Sequence, residues 1–169
     1  MSDMLYPRQV FQKLEAEITT KEVTVITGMR RVGKTTALMH LFDLVKSENK
    51  AILDLENPLH RKVFEEENYD NVWSNLKQFR VTNNVKAYLF LDEVQNLPEL
   101  SRVVKYLYDH FDVKFFLTGS SSYYLRNSMA QRDGPCERHQ ESLAARWGDP
   151  GYVEVDQRKL YEIDHGEQS

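Results

Sequence analysis

Four short apolar runs along the chain have the length and the β-branched or aromatic content of buried strands. They cover residues 23–27, 51–55, 87–91 and 113–118. Between the runs, apolar residues recur at helical spacing, regularly at 37–45 and 97–108 and in a broken pattern at 59–79. Before the first run, an N-terminal helix is predicted to bury Val10, Phe11, Leu14 and Ile18. At 169 residues, this succession of elements fits one α/β domain.

The most informative stretch joins the first predicted strand to the helix that follows it. It reads VTVITGMRRVGKTT from Val23 to Thr36, and the spacing of Gly28 and Gly33-Lys34-Thr35 satisfies the phosphate-loop pattern. Glycines let the backbone curl so that successive N–H groups face phosphate oxygens, and the helix start adds a positive dipole end. Lys34 is expected to reach the β- and γ-phosphates, and the Thr35 hydroxyl to ligate Mg²⁺. The sequence therefore predicts a nucleoside triphosphate site.

The third predicted strand, 87–91, runs directly into Asp92 and Glu93. In a phosphate-loop enzyme a carboxylate at this strand end holds the Mg²⁺ shell, which assigns Asp92. Glu93 is then placed to polarise a water for in-line attack on the γ-phosphate. An apolar run followed by two acids is common by itself, but together with the upstream loop it predicts the second half of one nucleotide site.

Polar residues also follow the second and fourth predicted strands. Hydroxyls around Thr118 and Ser120 are expected either to contact the γ-phosphate or position the water, or else to form a loop of helix-capping serines. Glu56 and Asn57 lie where open α/β sheets bind ligands, although a plain strand-end turn is the favoured interpretation. The run at 65–67 predicts a solvated helix face and no metal site.

Composition says more about the environment and partners of the protein than about its chemistry. The chain is 41% hydrophobic and 28% charged, and its net charge of −4 gives no overall electrostatic case for nucleic acid. Its single cysteine, Cys136, precludes an internal disulfide framework and suits a reducing compartment. No stretch reaches the length of a membrane span, and the first residues lack a signal-peptide pattern. We therefore expect a cytoplasmic domain with no membrane partner.

With these pieces in place, the sequence resembles the AAA+ ATPases, within the additional-strand, catalytic-glutamate class of phosphate-loop proteins. More narrowly it is similar to a bacterial and archaeal group whose ATPase core usually precedes a separate C-terminal domain. The resemblance extends from Tyr6 to about Ser128. It is carried by ITGMRRVGKTT at Ile26–Thr36, LDLENPL at Leu53–Leu59, LFLDEVQNLPEL at Leu89–Leu100 and FFLTGSSSYYL at Phe115–Leu125.

The resemblance implies a three-layer α/β/α sandwich with a mostly parallel sheet in the order 5-1-4-3-2. It makes Asp92 and Glu93 the Walker B pair, and Thr118 or Ser120 the sensor at the end of the fourth strand. ATP and Mg²⁺ are the implied ligands. The implied Walker A loop consists of Gly28, Met29, Arg30, Arg31, Val32, Gly33, Lys34, Thr35 and Thr36.

After Ser128 the resemblance degrades. We therefore divide the single predicted domain into an N-terminal helix at 1–20, a core at 21–128 and a divergent tail at 129–169. Residues 131–140 are polar and irregular, whereas 141–146 resembles the family's Glu-Ser-Leu-Ala-Gly-Arg segment, with Ala145 in place of glycine. Residues 152–155 alternate and predict a fifth strand. The remaining length leaves no room for a helical lid or C-terminal domain, as expected of a truncated, inserted or frame-disturbed gene.

Three functions compete. The leading one is an AAA+-type ATPase in which Glu93 activates the water, with hydrolysis altering contacts to another subunit or a partner protein. The second is a small-molecule kinase that uses Asp92 or Glu93 as base. The third is a nucleotide-dependent interaction module with little turnover. A GTPase is disfavoured because Gln95 occupies the expected glycine position and no Asn-Lys-x-Asp motif occurs.

Arginines could complete either enzyme. Arg126 and Arg146 are candidates for the arginines that AAA+ hydrolysis requires in trans, although exposed surface arginines are the safer interpretation. Arg126, Arg132 and Arg138 would form the phosphate lid of a kinase.

Overall fold

The computed structural model describes residues 8–28, 33–120 and 152–154. Its α-helices are α1 (Arg8–Ala16), α2 (Lys34–Leu44), α3 (Pro58–Arg61), α4 (Asn71–Leu76) and α5 (Leu100–His110). Short 3-10 helices cover Glu17–Thr19, Lys77–Phe79 and Val94–Asn96. The strands are β1 (Thr24–Gly28), β2 (Lys50–Asp54), β3 (Ala87–Asp92), β4 (Val113–Ser120) and β5 (Tyr152–Glu154).

The five strands form one parallel sheet in the order β2-β3-β4-β1-β5. From the opposite edge this is 5-1-4-3-2, so the order that the resemblance implied is confirmed. β1 lies between β4 and β5, with Gly28 opposite Ser120. β3 lies between β2 and β4, with Asp54 opposite Asp92. The carboxyl ends of β1, β3 and β4 therefore meet at one edge, where open α/β sheets bind ligands.

Side chains alternate across the sheet and build a hydrophobic core on each face. Along β3, Leu89 and Leu91 join the core that includes α4 and α5, whereas Phe90 joins the core that includes α1 and α2. Phe90 stacks on Phe116 of β4, with ring centroids 4.7 Å apart. Helices on both faces of a parallel sheet give the predicted α/β/α layering.

The structure corrects the predicted element boundaries in three places. β4 continues through Ser120 because it pairs with the whole of β1, so Gly119 and Ser120 belong to the strand and not to a loop. α5 begins at Leu100, not at Leu97, since Leu97 precedes Pro98 and has a non-helical backbone with φ of −134° and ψ of 87°. Residues 62–70 are turn and loop, so the acidic run at 65–67 does not lie on a helix face.

Lys50, at the start of β2, fixes the end of the phosphate-loop helix α2. Its ammonium group donates hydrogen bonds of 2.6 Å to the carbonyl oxygens of Phe42 and Val45. A cation at a helix C-terminus satisfies otherwise unpaired carbonyls and complements the helix dipole. These contacts set the position of α2 relative to the sheet, and with it the position of the helix start that faces the site.

Lys114, in β4, is a fully buried cation that links the strand to the start of β1 and to the segment before it. Its ammonium donates to the carbonyl of Glu22 and, at 2.9 Å each, to the hydroxyls of Thr20 and Thr24. Burial lowers the pKa of Lys114 to about 8 from its usual 10.5, and the charges of Glu17 and Glu22 oppose that shift. The folded protein therefore releases this proton more readily than the unfolded chain does.

Relative to a Lys114→Met variant, the free energy of unfolding is expected to rise with pH between about 8 and 10.5. In that interval the unfolded chain holds the Lys114 proton and the folded protein has released it, so raising the pH favours folding. Below that interval Lys114 is protonated in both states, so the difference in unfolding free energy between the two proteins does not change with pH. The total rise is on the order of 3 kcal/mol. Urea denaturation of both proteins across this range measures it, and a constant difference would contradict it.

Candidate functional site

The phosphate loop joins the end of β1 to the start of α2. Gly33 caps α2 with φ of 82°, a left-handed conformation that favours glycine. Lys34 is the first residue of the helix and is 5% exposed. The predicted contact residues at 29–32 lie outside the described residues. The described part of the loop thus places a buried cation at the positive end of α2, as a phosphate site requires.

The end of this loop meets the acid at the end of β3. Thr35 Oγ1 donates a 2.7 Å hydrogen bond to Asp92 Oδ2, although 57 residues separate the two in sequence. Asp92 is 6% exposed, whereas Thr35 is exposed. A hydroxyl and a carboxylate oxygen are hard donors of the kind that Mg²⁺ prefers, and Mg²⁺ usually takes few protein ligands and completes its shell with phosphates and waters. These two residues therefore fit a magnesium ion that arrives with a nucleotide.

A metal site built wholly of protein ligands is not found: no group of three or more His, Cys, Asp or Glu residues able to hold an ion occurs in the described ranges.

Thr118, in the neighbouring strand β4, connects the two strand-end acids. Its hydroxyl donates to Asp92 Oδ1 and accepts a 3.0 Å hydrogen bond from the backbone N–H of Glu93. The side chain is fully buried, and its one hydroxyl proton is already given to Asp92. The observed contacts of Thr118 are therefore with the acid pair, and its expected role as a sensor near the γ-phosphate stays a prediction.

Glu93 leaves β3 in a left-handed conformation, with φ of 54° and ψ of 51°. This region is uncommon for a residue with a side chain and often marks a functional position. The 3-10 helix Val94–Asn96 follows at once, and Gln95 donates from Nε2 to Glu93 Oε2. The side-chain oxygen of Gln95 is buried and has no hydrogen-bond partner in the described part of the chain. Sequence reasoning gave Gln95 no role here, because the turn that brings its amide back to Glu93 has no sequence signature.

The family of the chain follows from its similarity to known proteins. A model of a family described as "AAA domain" matches residues 20–140, more than half of the chain. The chain belongs to this AAA domain family. The predicted resemblance is confirmed at this level, and the protein is a phosphate-loop NTPase domain of the AAA type.

One curated relative of the AAA domain is an uncharacterized protein of Haemophilus influenzae, which is 26% identical over 136 residues. The match covers 77% of this chain and 33% of the relative, so the chain spans about a third of that protein's length.

Two solved structures share the fold. A structure of two coordinating Pif1 helicases at forked double-stranded DNA aligns with a TM-score of 0.53 at 13% identity, covering 90% of this chain and 44% of that one. Pif1 helicase from Candida albicans aligns with a TM-score of 0.54 at 12% identity, covering 91% and 40%. At these identities the likeness shows the fold alone.

The remaining predicted residues of the AAA domain lie around the edge of the site. Ser120 is half-buried at the end of β4, opposite Gly28, while Thr36 is an exposed residue of α2. Asn57 caps α3 by accepting a 2.9 Å hydrogen bond from the N–H of Leu59, and the N–H of Glu56 donates to Asp54 Oδ1 at 2.8 Å. These local bonds agree with the strand-end turn favoured from sequence.

The arginines Arg126, Arg132, Arg138 and Arg146 lie outside the described residues. No helix within residues 8–28, 33–120 and 152–154 is long and apolar enough to cross a bilayer.

Proposed function

We propose that this AAA domain binds Mg·ATP and hydrolyses its terminal phosphoanhydride bond. The observation that carries the proposal is the 2.7 Å hydrogen bond between Thr35 and Asp92, which joins the phosphate-loop helix to the strand-end acids. Glu93 follows Asp92 directly and is held by Thr118 through its backbone N–H. A triphosphate at the start of α2 would therefore have a cation, a metal-ligating pair and a carboxylate base beside it.

In the proposed reaction, Lys34 and the N-terminal N–H groups of α2 bind the β- and γ-phosphates. Glu93 accepts a proton from a water whose oxygen bonds to the γ-phosphorus, while the bond to the β,γ-bridging oxygen breaks. The products are ADP and inorganic phosphate. Thr35 and Asp92 would hold Mg²⁺, which supplies neutralisation of the charge on the phosphate oxygens. Thr118 fixes the Asp92 carboxylate and the backbone of Glu93, which reduces the reorganisation needed during the reaction.

Phosphate release and ATP binding by the purified chain test this proposal. We expect binding of Mg·ATP at millimolar or lower concentration and conversion to ADP and phosphate. Transfer to an added hydroxyl-bearing metabolite with little release to water would indicate a kinase, and tight binding without turnover would indicate an interaction module. A chain that does not bind Mg·ATP at millimolar concentration would contradict the proposal.

Removing Mg²⁺ with EDTA is expected to weaken ATP binding about tenfold and to abolish phosphate release, because Thr35 and Asp92 act through the ion. Titration calorimetry with and without EDTA measures the first effect, and a phosphate-release assay measures the second. Equal affinity and equal rates without divalent cation would show that these two residues do not bind a metal.

We further propose that nucleotide turnover changes contacts with another subunit or with a partner protein. The chain's net charge of −4 gives no general electrostatic attraction to nucleic acid. The DNA unwinding described for the coordinating Pif1 helicases is therefore not proposed for this chain, because a shared fold does not carry function with it.

A further inference from the structure

The backbone of Glu93 is fixed from both sides, but its side chain needs a separate restraint. The N–H of Glu93 donates to Thr118 Oγ1 at 3.0 Å, and its carbonyl accepts from Asn96 Nδ2 at 3.0 Å. Together with the left-handed φ of 54°, these bonds determine the direction in which the side chain leaves the strand. A glutamate still has three rotatable side-chain bonds beyond that point, and this side chain is only half-buried.

Gln95 supplies a restraint on the carboxylate itself. Residues two apart in an α-helix do not face each other. Here the left-handed backbone of Glu93 and the 3-10 helix Val94–Asn96 instead bring the Gln95 amide back toward Glu93. Gln95 Nε2 donates to Glu93 Oε2. One carboxylate oxygen is thereby held by a neutral donor, which orients the group without neutralising its charge.

We propose that Gln95 is a positioning residue for ATP hydrolysis: it holds Glu93 Oε2 so that Oε1 faces the attacking water and receives its proton. This inference rests on the proposed ATPase function. It assigns Gln95 no contact with nucleotide, so the expected effect of changing Gln95 is on turnover and not on ATP affinity.

The second amide atom of Gln95 argues against a purely structural role. Its Oε1 is buried with no partner among the described residues, and an unsatisfied buried acceptor is unfavourable for folding. A methionine of similar length would fill the same space without that penalty. The site therefore keeps a glutamine where stability alone favours an apolar side chain, and the difference between the two is the hydrogen bond to Glu93.

Gln95→Met tests the inference, with the exposed Gln78→Met as the matched control. Under single-turnover conditions with protein in excess, Gln95→Met is expected to lower the hydrolysis rate about tenfold. The Kd for Mg·ATP should stay within about twofold and the thermal midpoint should not fall, because the lost hydrogen bond is offset by removal of the orphaned oxygen. Gln78→Met should match the unaltered protein in all three measurements.

A Glu93→Gln background distinguishes positioning from general damage. Because Gln95 acts through Glu93, adding Gln95→Met to Glu93→Gln is expected to change the residual rate less than about twofold. A further tenfold loss in that background, or a loss of ATP affinity or thermal stability in the single variant, would overturn the inference. Unchanged or increased turnover in Gln95→Met would overturn it as well.

The same set of proteins separates the two proposals. If the unaltered chain releases no phosphate from Mg·ATP, the ATPase proposal fails and the inference about Gln95 fails with it. If the unaltered chain hydrolyses ATP at the same rate as Glu93→Gln, Glu93 is not the base, and the inference about Gln95 is refuted although ATP is hydrolysed. If Glu93→Gln is slow while Gln95→Met equals the unaltered chain, the ATPase proposal stands and the positioning role alone is refuted.

Discussion

Glu93→Gln is expected to lower the rate of ATP hydrolysis by about 10²–10⁴-fold while the Kd for Mg·ATP stays within about twofold. The amide keeps the size and polarity of the side chain but cannot accept the proton from water. Binding is preserved because Lys34, Thr35 and Asp92 are unchanged. Phosphate release under saturating Mg·ATP measures the rate, and calorimetry measures the Kd.

The matched control for this substitution is Glu67→Gln, which makes the same chemical change at an exposed loop position. It is expected to leave rate and affinity unchanged. Equal turnover in Glu93→Gln and the unaltered protein would mean that another group accepts the proton, and that the strand-end glutamate is not the base.

Lys34→Met is expected to weaken Mg·ATP binding by about 30- to 5,000-fold, the equivalent of roughly 2–5 kcal/mol for loss of one partner from a buried charge pair. Lys34 is 5% exposed at the first position of α2, so its interaction with phosphate would be poorly screened by water. Methionine retains most of the apolar stem and removes the charge.

Lys46→Met is the control for this charge removal, because Lys46 is exposed just beyond the other end of α2. We expect its affinity for Mg·ATP to equal that of the unaltered chain. Circular dichroism and thermal melting should show that both variants are folded. A Kd for Mg·ATP in Lys34→Met within about threefold of that of the unaltered chain would contradict placement of the triphosphate at this helix start.

Much of the fold could be predicted because its signals are local. The β-branched and aromatic runs that became β1 to β4 are bounded by turn residues, and their burial follows from the sheet having helices on both faces. The strand order did not follow from these patterns, since β1 and β4 are more than 80 residues apart in sequence and nothing local states that they pair. It came from the family resemblance.

Local sequence signals likewise predict some parts of the candidate site and not others. Spacing of Gly28 and Lys34 predicts a phosphate loop, and an acid at a strand end complements it, so the approach of Thr35 to Asp92 was foreseeable. The contacts of Thr118 and Gln95 were not, because the first depends on the pairing of β3 with β4 and the second on a local turn that has no sequence signature. The N–H of Glu93 bonds to Thr118 on the next strand, and the left-handed turn that follows aims Gln95 back at Glu93.

The boundary errors have similar causes. The start of α5 was misjudged because Leu97, Pro98 and Glu99 have the composition of a first helical turn, while the 3-10 helix that ends at Asn96 and the restriction before proline delay the helix to Leu100. The end of β4 was misjudged because glycine and serines are typical of loops, whereas pairing with β1 keeps Gly119 and Ser120 in the strand.

The central claim is that the phosphate loop and the strand-end acids surround one magnesium-bound triphosphate. A crystal structure of the protein with Mn²⁺ and a non-hydrolysable ATP analogue tests it directly, because anomalous scattering locates the metal. The account predicts one manganese peak at about 2.2 Å from Thr35 Oγ1, beside the Asp92 carboxylate, with Lys34 Nζ on β- and γ-phosphate oxygens. A triphosphate bound elsewhere, or a metal remote from Thr35 and Asp92, would contradict it.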